Sequence, residues 1–249
     1  MLPPDSVIAG PILEQRRVGA YLLQIIHDTV AGDRIADVKL NGHRVFAVRA
    51  ADVRFDPAGR DITGDRVPDV VVHQFSGGAH CCSRATVLSL GREQLLELGS
   101  FDGGHGDVEL EDVNGDGVSE IKVGDWRFAY WRDYPFGDTE VPEVLFRYRD
   151  GRYQVACDLM RQAAPPPDAA ELHARARELT DGWVTGDPPA EFWGFAVDLV
   201  YRGQADLAFS WLESSWPASV SGRAEFLRDL REKLRGSPCW SPPTGPQTT

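Results

Sequence analysis

Lysine is nearly absent from this chain of 249 residues, with Lys39, Lys122 and Lys233 the only three. Arginine supplies the remaining positive charge, yet the 26 basic side chains fall short of the 38 aspartates and glutamates, leaving a net charge of -12. A chain so balanced repels phosphate backbones and anionic lipid, which argues against nucleic acid and membrane surfaces as partners and favours cations. No run approaches the roughly 20 apolar residues of a membrane span, so membrane insertion is not expected. The opening MLPPDSVIAG lacks the basic start and apolar run of a secretory signal.

Signatures of catalysis are also missing. No GxSxG, HExxH or Walker loop occurs, so the common hydrolase and nucleotide-binding classes lack their markers. The four cysteines, Cys81, Cys82, Cys157 and Cys239, form no CxxC pair, which leaves a zinc knuckle or thioredoxin-like site without support. His80 beside Cys81 suggests a nucleophile, and His73, His80, Cys81 and Cys82 can be drawn as a soft metal site. Neighbours on a strand, however, project to opposite faces. His105, in a glycine-rich turn, reads as a surface histidine. The sequence leaves catalysis undecided and weighs against it.

What is present divides into two textures. From Tyr21 to about Val155, short apolar runs such as YLLQII, RVFAV, DVVVHQF, ATVLSL, EIKV and EVLFRY alternate with Gly, Asp and Asn. NG at 41–42 and DG at 150–151 are two-residue hairpin signals. After AAPPPD at 163–168 the period becomes helical. Asp168 with Glu171 forms a capping-box pattern, and helices are expected near 190–202, 204–215 and 221–235. The predicted fold class is therefore α+β, with an antiparallel β domain over 1–162, a helical module over 163–240 and a disordered tail over 241–249. YRGQADLAFSWLESSWP at 201–217 weakly resembles one tetratricopeptide unit; a helical hairpin packing on the β domain through Trp211, Leu212 and Trp216 is the plainer expectation. In DWRFAYWRDYPF, strand alternation places Trp126, Phe128 and Tyr130 in the core, with Trp131 and Tyr134 free to stack on a sugar or a peptide.

One motif carries chemistry. EDVNGDGVSE places Asp112, Asn114 and Asp116 at positions 1, 3 and 5 of a loop, Gly117 at 6, the Val118 carbonyl at 7 and Glu120 at 9. Calcium takes six to eight oxygens, and alternate side chains converging around a glycine turn supply them. Position 12 is Val123 rather than Glu, so the loop is not an EF-hand. A second copy lies 51 residues earlier, with Asp61, Thr63, Asp65, the Val67 carbonyl and Asp69 at the same positions. That copy is the poorer one: Thr63 is neutral, and Arg66 stands where glycine would avoid a left-handed cost of about 1 kcal/mol. Each copy runs straight into an apolar strand.

DITGDRVPDVVV and DVNGDGVSEIKV resemble the calcium loops of FG-GAP or VCBS-type repeats, the blade units of integrin-α-like β-propellers and of many exported bacterial proteins. The resemblance implies Ca²⁺ ligands at all ten positions just named. Two copies are too few for a closed propeller, so blade-like repeats in an open β domain are expected. FSGGAHCCS at 75–83 similarly resembles a segment of exported bacterial proteins of unknown function. The expected protein is periplasmic or secreted, its signal removed, and acts as a calcium-binding structural or interaction protein. A carbohydrate- or peptide-binding module and a Ca²⁺-dependent hydrolase are the alternatives. Four cysteines, export-type motifs and the opposed directions of residues 81 and 82 predict that Cys81 or Cys82 bonds to Cys157 or Cys239.

Overall fold

The computed structural model describes residues 2, 8–78, 81–162 and 165–242, with backbone alone at 81. The remaining positions, which include His80 and most of the expected tail, lie outside the described residues. Three four-stranded antiparallel sheets and five helices are described, the helices gathered toward the C-terminal side of the sequence. The α+β expectation holds.

The first sheet is a meander of β1 (Ile12–Val18), β2 (Tyr21–His27), β3 (Arg34–Leu40) and β4 (His43–Ala50). The second is a meander of β5 (Asp52–Arg60), β6 (Asp69–Gly78), β7 (Cys81–Leu90) and β8 (Leu95–Gly104). The third runs β12-β11-β10-β9, from β9 (Glu109–Glu111), β10 (Glu120–Gly124), β11 (Glu143–Arg149) and β12 (Arg152–Val155). Both hairpin signals act as expected: Asn41 and Gly42 turn with φ 50 and 86, and Asp150 and Gly151 with φ 53 and 81. Positive φ at both central residues gives the turn whose twist matches the strands it joins.

Alternation sets the packing. Tyr21, Leu23 and Ile25, with Ala36, Val38 and Phe46, meet Val53, Phe55, Val70, Val72 and Leu88 in one core between the first two sheets. On the opposite face of the second sheet Val71, Ala85 and Val87 are also fully buried. Burial on both faces explains the unbroken VVV at 70–72, since a strand with one wet face would alternate. There Phe101 meets Phe146 and Tyr153 edge-on, with ring centroids 5.1 and 5.7 Å apart.

The chain clusters into two compact units, one running to Gly124 and including Phe146–Gln154, the other comprising Asp125–Leu145 and Val155 onward. The second holds α1 (Cys157–Gln162), α2 (Ala169–Thr180), α3 (Ala190–Tyr201), α4 (Ala205–Ser215) and α5 (Arg223–Leu234). Asp168 caps α2 by accepting the Glu171 N–H at 2.9 Å. Trp211 and Trp216, expected against the β domain, instead enter this unit's own aromatic core, where Trp211 packs on Phe192 and Trp216 on Trp183.

The 125–136 segment departs from strand alternation. It forms single 3-10 turns at Trp126–Phe128 and Trp131–Asp133, with left-handed φ at Tyr130, Arg132 and Asp133. The expected faces are therefore reassigned. Trp131 packs against Phe128, Trp193 and Phe226, and the Tyr134 hydroxyl donates to the Pro188 carbonyl, while Tyr130 is 61% exposed. Arg132 makes a two-pronged ion pair with Asp187 at 2.8 and 2.9 Å and reaches Asp229, which holds the strained turn in place.

The cysteine expectation is overturned. Cys157, opening α1, bonds to Cys239, beyond α5, with Cα atoms 5.5 Å apart. Cys82 is itself disulfide-bonded, with neither of those two available to it. Both members of the first pair belong to the helical unit, so the bridge closes that unit on itself.

Candidate functional site

Both acidic loops are hairpin connections. Residues 61–69 close β5 on β6, where Arg60 pairs with Asp69, and residues 112–120 close β9 on β10, where Glu111 pairs with Glu120. In each, the residue before position 1 faces the acid at position 9 across the ladder.

The internal hydrogen bonds repeat from one loop to the other. At position 1, Asp61 accepts from the N–H groups of Gly64 (2.7 Å) and Arg66 (2.8 Å); Asp112 accepts from Gly115 (2.8 Å) and Gly117 (2.9 Å). At position 5, Asp65 takes the Val67 N–H and Asp116 the Val118 N–H, both at 2.8 Å. At position 9, Asp69 takes the Ile62 N–H and Glu120 the Val113 N–H, both at 3.0 Å. Arg66 adopts φ 67 where Gly117 adopts φ 86, so the first loop keeps the left-handed step despite its side chain. Two stretches with different residues at positions 3, 6 and 9 thus converge on one backbone shape.

Their surroundings differ. In the second loop Asp112, Asn114 and Asp116 are exposed and only Glu120 is buried; in the first, Thr63 and Asp69 are both buried. Burial pushes Asp69 up to about 6, against the Ile62 N–H and the Thr63 hydroxyl, which favour the charge, and with Asp65 and Asp61 adding to the rise. Burial likewise raises Glu120, opposed by the Val113 N–H and reinforced by Asp116 and Asp112. Asp61 goes the other way: burial would raise it, but the N–H groups of Arg66, Gly64 and Thr63 together hold it below the ordinary range.

The Asp69 carboxyl is turned into its loop, since Oδ2 takes the Ile62 N–H and the Thr63 hydroxyl at 3.2 Å, while Oδ1 is buried without a hydrogen-bond partner. Among the described residues no three His, Cys, Asp or Glu side chains converge in a ready-made metal cluster. Calcium also draws on hydroxyl, amide and main-chain oxygens. Thr63 and Asn114 lie inside the network, Asn114 donating its amide to the Asp116 carboxylate at 3.0 Å while its oxygen accepts the Asp116 N–H at 2.8 Å. The buried Asp69 carboxylate thus keeps one oxygen without a partner while the charges of Asp65 and Asp61 act on it.

The loops also touch each other. The Ser119 N–H donates to the Ile62 carbonyl at 2.8 Å, and a Cβ built on Gly64 would stand 3.0 Å from a Val118 methyl. Tyr153 donates its hydroxyl to the Ser119 carbonyl at 3.1 Å, and Asp69 and Glu120 both act on that phenol, whose ionisation burial already opposes. Tyr148, 5.7 Å from Tyr153 ring to ring, feels Asp65, Asp69 and Asp61. Sequence reasoning missed both tyrosines; the one signal for them is the DG turn at 150–151, which sets 148 and 153 near each other across a hairpin.

The other candidates are committed elsewhere. His73 Nε2 lies 2.9 Å from the Asp56 carbonyl oxygen, to which it can only donate, and the Ser83 hydroxyl donates to the Gly106 carbonyl. Both line a cavity of about 190 Å³, yet neither is presented to the other as a nucleophile–base pair. No helix is long and apolar enough to cross a membrane. Comparison with known proteins finds no matching family model, curated protein or solved structure.

Proposed function

We propose that the chain is an exported calcium-binding structural or interaction protein, in which Ca²⁺ held by loops 61–69 and 112–120 stiffens the β5–β6 and β9–β10 hairpins. The carrying observation is Asp69, a fully buried carboxyl with one oxygen lacking any partner. Such a group is costly unless neutralised by a proton or a cation. The side chains of Asp61, Thr63, Asp65 and Asp69 with the Val67 carbonyl would serve the first ion. Asp112, Asn114, Asp116 and Glu120 with the Val118 carbonyl would serve the second. The resemblance to FG-GAP and VCBS loops, and the hydrogen bonds that the two loops share at positions 1, 5 and 9, support this reading.

Calorimetry should find calcium uptake with a Kd of roughly 0.1–1 mM, the range of extracellular loops. Magnesium, which demands a tighter octahedron, should bind much less. A hundredfold excess over Kd stabilises by about 2.7 kcal/mol. No uptake and an unchanged melting curve would reduce the pair to acidic turns.

A second reading, a carbohydrate- or peptide-binding module, is favoured by one feature. Exposed Tyr130 leans on Phe136 at 5.7 Å, and Phe136 stacks on Trp126 at 5.8 Å with planes 5° apart, a ring surface suited to the apolar face of a sugar. Fluorescence titration with oligosaccharides, compared with Tyr130→Ala, tests it; an identical response from both proteins would rule out that surface.

A further inference from the structure

We infer that the two loops form one coupled unit, in which a cation bound in either raises the affinity of the other. The inference rests on the calcium reading and goes beyond it, since two copies of a loop need not communicate. Communication here has a physical route through main chain. Ile62 lies between the ligand positions 61 and 63, and its N–H is already held by Asp69 Oδ2. Its carbonyl accepts the Ser119 N–H at 2.8 Å, and Ser119 lies between the ligand positions 118 and 120. The remaining backbone group of Ser119, its carbonyl, takes the Tyr153 hydroxyl at 3.1 Å. Gly64, at position 4 of the first loop, abuts Val118 closely enough that a Cβ would be crowded.

Neither loop can therefore shift its ligand-bearing peptides without moving those of the other. Ile62 is 1% exposed and Ser119 8%, so water does not readily replace the bond between them. An ion that orders one loop has then already restricted the other, and the second ion meets a smaller ordering cost, which is positive cooperativity without a large change in shape. The orphan Oδ1 of Asp69 supplies the demand for a cation at one end of this route.

Calorimetric calcium titrations of three proteins test the coupling. Asp116→Asn leaves the first loop to bind alone, Asp69→Asn leaves the second, and the wild type gives the overall two-ion constant. Divided by the product of the two single-site constants, that overall constant is the coupling factor, expected to be about fivefold or more. Ser119→Pro, which copies Pro68 at the same position of the first loop and removes the N–H given to Ile62 without altering a ligand side chain, should move the factor toward one. Should Asp69→Asn fail to fold, the exposed Asp65→Asn takes its place. A factor of one, or uptake of a single ion by the wild type, overturns the coupling while leaving calcium binding intact. A wild type that takes up no calcium overturns both.

Discussion

Replacing Asp69 by asparagine should stabilise the calcium-free protein while abolishing its first cation site. In the folded chain this carboxyl titrates near 6 rather than 3.8, chiefly because burial disfavours its charge. The folded state thus binds more protons than the unfolded state between those values. The resulting stability is present in full below the window, is lost as pH rises through it, and is gone above about 6. At about 1.36 kcal/mol per pH unit, roughly 3 kcal/mol opposes folding at pH 8 in chelator. Asparagine removes the charge but leaves an amide N–H in place of the orphan oxygen, a cost of about 1 kcal/mol. The net gain is about 2 kcal/mol, or some 4–8 °C in Tm for a chain of this size. Thermal melts by circular dichroism at pH 5 and pH 8, each in chelator and in calcium at a hundredfold excess over Kd, where the ion contributes about 2.7 kcal/mol, give the assay. In chelator at pH 8 the variant should melt above the wild type, at pH 5 the gap should narrow to under about 1 kcal/mol, and in calcium the wild type should recover the lead. A variant that melts below the wild type in chelator at pH 8 would refute the reasoning, because the buried carboxylate would then stabilise the loop without a cation.

Two further outcomes are expected. Asp116→Ala, at an exposed position, should leave the melting curve in chelator within about 1 kcal/mol of wild type and lose most of the calcium-dependent rise, as read by scanning fluorimetry in both buffers. Opening the Cys157–Cys239 bridge, which spans 82 residues, by the double serine variant should cost up to about 4 kcal/mol in the helical unit. Thiol mapping of the denatured, unreduced wild type should find Cys82, Cys157 and Cys239 blocked, and the double variant should unfold at lower urea.

The features legible in the sequence were the locally determined ones. The NG and DG turns need positive φ at two adjacent residues, a demand met within the dipeptide itself. The capping of α2 by Asp168 is likewise settled within one helical turn. The turns of the two acidic loops follow the same logic, since position 1 captures N–H groups only three and five residues onward. What could not be read was decided by distant partners. The pairing of Cys157 with Cys239 depends on how α1 and the segment beyond α5 come together. The 125–136 segment has the composition of a strand, but the ion pairs of Arg132 with Asp187 and Asp229, 55 and 97 residues away, hold it in left-handed turns that no alternation rule anticipates.

The ranking of the two loops illustrates the same boundary. By residue type the second is the closer match to the calcium-loop pattern, with an asparagine where the first has threonine and a glycine where the first has arginine. By environment the first makes the stronger demand, because Asp69 begins β6, whose valines are covered on both faces, whereas the 112–120 loop is exposed up to Val118. Ligand chemistry is written in the loop, but the cost of leaving that loop empty is set by the sheet into which its last ligand runs. A carboxylate at position 9 is drawn inward because it opens a strand, and the more completely that strand is buried, the less water remains to solvate the charge. The two contributions oppose each other across this pair, and the backbone bond from Ser119 to Ile62 joins the loop with the glycine at position 6 to the loop with the orphaned carboxylate oxygen.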